Sequence, residues 1–182
     1  MNVYVALLHF PVYNKNKEVV TTCITGMDLS DIARSCCTYG IKKYYVVNPI
    51  SAQRQFAERV LNHWKKEESQ NFNPTRVEAY DLVSLKKDLK EVVDDISRNG
   101  RPIVVATSAR NVGTYSYSKL SEEMKKSKRP YLILFGTGWG VCEEVIDGAD
   151  IVLSPIVGKS DYNHLSVRSA AAVILDRLLK EK

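Results

Sequence analysis

Near its start the chain carries six consecutive apolar residues, Val3-Tyr4-Val5-Ala6-Leu7-Leu8. Successive residues of a strand point to opposite faces, so a strand apolar at every position needs cover on both sides. Parallel sheets meet that demand, because their crossover helices lie over both faces. Runs of the same kind recur at Tyr44–Val47, Ile103–Ala106, Tyr131–Phe135 and Ile151–Leu153. Between them the spacing turns helical. Asp28 stands before the stripe Leu29, Ile32, Ala33 and Cys36, and Gly40 closes it, which reads as an N-cap and a C-terminal glycine. Ser51 opens a segment with Phe56, Val60, Leu61 and Trp64 on one face, and a second stripe holds Leu85, Leu89, Val92, Val93 and Ile96. Further helices are expected around Leu120–Met124, near Val145, and from about Ser166 to Leu179. Ser69–Pro74 reads as loop and Val77–Tyr80 as a short strand. Strands alternating with helices predict an α/β domain built on a parallel sheet flanked by helices. With no repeat and no linker, residues 1–182 are expected to form a single domain.

Composition removes several classes. Hydrophobic residues make up 45% of the 182 positions, with only six Pro and nine Gly, which excludes a disordered or low-complexity chain. No apolar run approaches the roughly 20 residues that span a bilayer, so no membrane association is expected. Met1–Phe10 lacks a basic leader region, and Pro11-Val12-Tyr13 is no signal-cleavage site, which together favour a cytoplasmic location. The net charge of +5 is compatible with a polyanionic partner. Cys23, Cys36, Cys37 and Cys142 read as reduced thiols. His9 and His63 stand at no metal-ligand spacing from them, so no metal is expected.

Ligands of open α/β sheets bind beyond the carboxyl ends of the strands. Three loops in such positions are rich in small or polar residues: Thr107-Ser108-Ala109-Arg110-Asn111, Gly136-Thr137-Gly138-Trp139-Gly140, and the stretch from Pro155 to Leu165. Their concentration in the C-terminal half leaves the N-terminal half as scaffold or partner surface. The glycine loop is not a dinucleotide fingerprint, because Val141 stands where GxGxxG requires glycine and no acidic residue follows at the expected distance. It suits either a ligand held close to the backbone with Trp139 as a wall, or a tight turn beside a core tryptophan. Asn163 or Ser166 can cap the last helix, which carries Ala170, Ala171 and Ala172 in succession.

On TSAR at 107–110, LFGTGWG at 134–140 and PIVGKSDYNHLSVRSAAAVILDRL at 155–178, the chain resembles the SPOUT superfamily of S-adenosylmethionine-dependent RNA methyltransferases. It is similar within it to a bacterial stand-alone family sometimes fused to a tRNA guanine methyltransferase. DIAR at 31–34, TYG at 38–40, HW at 63–64 and NPTR at 73–76 extend the likeness through the N-terminal half. The resemblance implies a deep C-terminal trefoil knot, with the methyl donor bound within about 103–182, and a homodimer with the last helix at its interface. The alanine run would then permit close helix approach across the twofold. It implies a donor site of Thr107, Ser108 and Ala109 from the first loop and Gly136, Gly138, Trp139 and Gly140 from the second. Ile156, Gly158, Tyr162, Asn163, Leu165 and Ser166 would form the third wall.

The implied activity is methyl transfer from S-adenosylmethionine to RNA, with tRNA as the expected substrate; the alternative is a non-catalytic knotted module that binds donor or RNA for another modification enzyme. In-line transfer needs alignment, and a protonated acceptor also needs a base. Asp161, beside the donor loop, is the first candidate for that base, or else it orders the loop. Arg110 and Arg168 are candidates for binding phosphate or orienting substrate, with a structural salt bridge as the other reading of Arg168. His164 suits a base or a hydrogen-bonded structural role. Arg34 is a candidate for reaching a partner subunit's site. Lys42-Lys43, Lys65-Lys66, Arg76, Lys125-Lys126 and Lys128-Arg129 are available to RNA as dispersed charge.

Overall fold

The structure, a computed structural model, describes residues 1–160 and 162–180. In chain order its strands are β1 (Val3–Leu8), the short pair β2 (Val12–Tyr13) and β3 (Val19–Val20), β4 (Tyr44–Val47), β5 (Val83–Lys86), β6 (Ile103–Ala106), β7 (Tyr131–Gly136) and β8 (Ile151–Val152). The helices are α1 (Gly26–Thr38), α2 (Ser51–Trp64), α3 (Glu67–Phe72), α4 (Pro74–Asp81), α5 (Leu89–Ser97), α6 (Tyr117–Lys126), α7 (Glu143–Asp147) and α8 (Val167–Leu179).

Six strands form one parallel sheet in the order β5-β4-β1-β7-β6-β8, with the all-apolar β1 at its middle. The alternation expected of β1 is realised. Val3, Val5 and Leu7 face a core built with α1, α2, α4, α6 and α8. Tyr4, Ala6 and Leu8 face the opposite core, with Val92 and Ile96 of α5 and Val145 and Ile146 of α7. Burial of this kind stabilises by roughly 25 cal/mol per Å² of apolar surface removed from water. Tyr44 and Tyr45 are buried on opposite faces, and their hydroxyls donate to Asp28 O at 3.3 Å and to Asp95 Oδ2 at 2.8 Å. Among the described residues no helix is long and apolar enough to cross a membrane.

Four local expectations are corrected. The cap of α1 is Thr25 rather than Asp28: Thr25 Oγ1 accepts from Asp28 N at 3.1 Å and donates to Asp28 Oδ2 at 2.7 Å. Asp28 thus occupies the first turn, where a carboxylate suits the helix dipole. Val77–Tyr80 is helical, not a strand; Asn73 caps α4 by accepting from Arg76 N at 3.1 Å, and Pro74 opens its first turn. Those two start signals outweigh the local β-propensity. The expected loop at Ser69–Pro74 is helical over its first four residues, which belong to α3 (Glu67–Phe72). Leu85 belongs to β5, in register with Val46, and α5 begins only after its Asp88 cap.

The alanine run of α8 is used within the subunit: Ala171 is fully buried against the sheet, and Ala170 lines the cavity described next. A second close approach holds the C-terminal loops together. Gly113 packs against the Leu153 carbonyl with no room for a Cβ, while Tyr115 N donates to Val152 O at 3.2 Å and Ser154 N to Tyr115 O at 3.0 Å.

Candidate functional site

The loops after β6, β7 and β8 converge on a cavity of about 1250 Å³ at the carboxyl end of the sheet. Its size is at least that of the roughly 300–1,000 Å³ typical of a small-molecule pocket. In the first loop, Thr107 is buried at the end of β6 and donates through Oγ1 to Leu134 O at 2.8 Å, tying this loop to β7. Ser108 Oγ accepts from Arg110 N at 3.0 Å, folding the loop back on itself. Asn163 Nδ2 donates to Ala109 O at 2.8 Å, so the third loop closes on the first. Ser166 caps α8 by accepting from Ser169 N at 3.3 Å.

The glycine loop is shaped by contacts that side chains would prevent. A Cβ on Gly136 would lie 2.7 Å from Val141 N. Gly138 and Gly140 have φ of +58° and +93°, a region that glycine enters without steric cost. The Trp139 between them is 65% exposed and borders the cavity, which removes the core-tryptophan reading. Ile156, Leu165 and Ser166 complete the wall expected from the third loop, whereas Gly158 and Tyr162 are exposed and do not line it. His164 lines the cavity and packs edge-on against Tyr162 at 5.7 Å between ring centres.

The expected charged residues separate. Arg110 lines the cavity: Nη2 donates to Val141 O at 2.9 Å, Nη1 stands 3.7 Å from Glu143 Oε1, and the guanidinium lies over the Tyr13 ring at 5.6 Å. Its buried Nε finds no hydrogen-bond partner among the described residues. Arg168 stands behind the wall, with Nη1 3.1 Å from Asp28 Oδ1 and Nε 3.4 Å from Asp31 Oδ2; the structural ion pair is formed. Asp161 lies outside the described residues. Arg34 is exposed on α1. Arg76 is held 4.5 Å from the Trp64 ring centre and Lys43 pairs with Asp95 at 3.2 Å, so both have partners within the subunit.

Sequence reasoning missed the N-terminal contribution. Tyr13, Asn14, Lys15 and Lys17 of the β2–β3 hairpin line the cavity, as do Cys23, Thr25 and Asp28 at the start of α1. The available signal was a polar turn between Val12-Tyr13 and Val19-Val20, a short hairpin pattern. Beneath this wall His9 is fully buried. Its Nδ1 lies 3.0 Å from Thr22 Oγ1, which in turn pairs closely with Thr137 Oγ1 of the glycine loop. Burial lowers the His9 pKa from 6.5 to about 4, against a smaller opposing pull from Asp28.

Residues 2–180 match the family described as SAM-dependent RNA methyltransferase. An uncharacterized protein of Aquifex aeolicus is 48% identical over 180 residues, covering 97% of this chain and 88% of its own length. A tRNA (guanine-N(1)-)-methyltransferase of Nitratidesulfovibrio vulgaris is 41% identical over 180 residues; the match takes in 98% of this chain but only 42% of that enzyme. The solved structure of the A. aeolicus TrmH/SpoU tRNA modifying enzyme superposes with a TM-score of 0.57 at 15% identity, covering 98% of this chain and 74% of that one, a likeness of fold. By sequence match over nearly its whole length, this chain belongs to the family of SAM-dependent RNA methyltransferases.

Proposed function

We propose that this chain methylates tRNA with S-adenosylmethionine as donor, and that the donor sits where the loops after β6, β7 and β8 meet. The observation that carries the reading is that convergence: eleven of the thirteen donor-site residues expected from the sequence line one cavity, among them Thr107, Gly136, Ile156 and Asn163. The cavity also fits the donor chemically. Its wall combines apolar side chains, a glycine backbone that a ligand can approach closely, and polar groups on the rim. Bound there, S-adenosylmethionine supplies a methyl group activated by its sulfonium. The chain's own part is to hold and orient. Main-chain groups of 107–109 and 136–140 would read the adenosine end, since a buried group left unpaired costs about 1–3 kcal/mol. The Ala109–Asn163 bond would keep the third loop closed over it. Arg110, which lines the cavity and is fixed by Val141 O and Glu143, would hold an anionic group of either reactant.

The reading includes a deep trefoil knot in the C-terminal segment. The close packing of Gly113 on the Leu153 carbonyl supports it by drawing the loop after β6 against the strand-end segment that leads to α8. It further includes one domain over 1–182, a homodimer and a cytoplasmic location, with tRNA suggested by the tRNA methyltransferases that contain a homologous segment.

Calorimetric titration with S-adenosylmethionine, with NAD as control, is the first test, and one donor per subunit is expected. Transfer of labelled methyl to unmodified tRNA follows. Absence of donor binding sinks the proposal, and binding without transfer to any RNA would reduce the protein to a donor-binding module. Sedimentation checks the dimer.

A further inference from the structure

Lys17 is the only described residue other than glycine with a positive φ, at +63°. It sits in the turn of the β2–β3 hairpin, where Lys17 N donates to Asn14 O at 3.1 Å. Asn14 holds that turn from within. Its Oδ1 accepts from Asn16 N at 2.8 Å and Glu18 N at 3.0 Å, and its Nδ2 donates to Glu18 Oε2 at 2.7 Å, which also occupies the nearby carboxylate. Glycine would adopt this conformation without steric cost, and asparagine or aspartate with little. A lysine there spends stability that the turn itself does not require.

The hairpin is fixed to the glycine loop. Tyr13 N donates to Gly140 O and Trp139 N to Tyr13 O, both at 2.9 Å, and Val12 bridges Val141. Lys15 and Lys17 are exposed and line the cavity. Lys43, Lys86, Lys87 and Lys90 have carboxylate partners, but none of the ion pairs among the described residues involves Lys15 or Lys17. Beside them the exposed Trp139 offers an aromatic face.

We infer that the β2–β3 hairpin is the acceptor-binding arm of the site. Lys15 and Lys17 take the phosphodiester backbone of a single-stranded segment of RNA, and Trp139 stacks on one of its bases. This rests on the reading of the cavity as an RNA methylation site. Ammonium groups on phosphates contribute affinity through counterion release, and an aromatic platform contributes stacking that salt barely changes. The two kinds of contact are therefore separable.

The experiment titrates the full chain with a short, single-stranded, fluorescein-labelled oligoribonucleotide at several salt concentrations. Lys17→Gly is expected to weaken binding about threefold or more and to flatten the plot of log K against log salt by about 0.7. The same variant should melt about 2 °C higher, because the turn is relieved. Lys15→Gln, at a residue of ordinary backbone conformation, is expected to weaken and flatten binding in the same way. Trp139→Ala should weaken binding with the salt slope unchanged. Wild-type affinity and slope in both lysine variants would overturn the inference, as would no binding by the wild-type chain at low salt. Donor titration runs in parallel: loss of donor binding in the wild type strikes the methyltransferase reading, whereas an unchanged salt slope strikes only the hairpin.

Discussion

Arg168 in the first turn of α8 and Asp28 in the first turn of α1 form an ion pair of 3.1 Å across 140 residues of sequence. A cation at a helix N-terminus is unfavourable alone, and a buried carboxylate lacking a partner more so. Together they join α1 to α8. Asp28 is also part of the cavity wall, so Arg168 acts on the site through it.

Arg168→Ala should lower stability by about 1–3 kcal/mol, because it strands a carboxylate whose side chain is only 9% exposed. Asp31→Ala, at a carboxylate 53% exposed, should change it by about 0.5 kcal/mol or less. Urea denaturation at neutral pH compares the two, and equal losses would contradict this account.

His9 makes stability depend on pH in a known direction. Its folded pKa of about 4 lies below the ordinary 6.5, so the unfolded chain binds the proton first. The stability tied to neutral His9 is complete above about pH 6.5 and is lost as pH falls toward 4, by about 1.4 kcal/mol per pH unit. Denaturation curves between pH 7 and 5 should show this slope in the wild type and a flatter one in His9→Asn.

Gly138→Ala and Gly140→Ala should separate backbone strain from collision. Both positions have positive φ, but only at Gly138 would the Cβ meet a neighbour, lying 2.8 Å from Tyr13 O; at Gly140 nothing lies within 4 Å. The Gly140 variant is expected to lose about 1 kcal/mol, and the Gly138 variant more, about 2–3 kcal/mol, as the hairpin is pushed from the loop. Thermal melts measure the difference.

Asn163→Ala should release the third loop from Ala109 and weaken S-adenosylmethionine binding about tenfold while leaving the fold nearly as stable, since the bond lies at the surface. Calorimetry reads the affinity. Unchanged affinity would remove this bond from the donor site.

Thiol labelling should find Cys23 first. Cys23 is exposed at the cavity wall, whereas Cys36 and Cys142 are buried, and burial pushes the Cys36 thiol far above its ordinary pKa. A maleimide is expected to modify Cys23 within minutes and Cys36 only after unfolding, as peptide mass mapping would show.

Much of the fold was legible in local sequence. The run Val3–Leu8 required cover on both faces, and the sheet order places it at the centre. The TSAR segment, the glycine loop and the loop residues Asn163–Ser166 follow strands of the sheet, so parallel topology brought them to one edge. Burial period and turn chemistry are written residue by residue, and those are what sequence by itself determined. What the tertiary structure decided was every relationship between segments with no shared pattern. The hairpin at Tyr13–Val19 carries no site motif in its sequence, and it is the backbone pairing with Gly140 that sets it over the cavity. Val77–Tyr80 turned helical because Asn73 and Pro74 start a helix that packs against α1. Arg168 and Asp28 carry no mark of each other in the sequence. Their pairing exists because the two helices lie side by side on one face of the sheet, and proximity of that kind is a product of packing rather than of spacing along the chain.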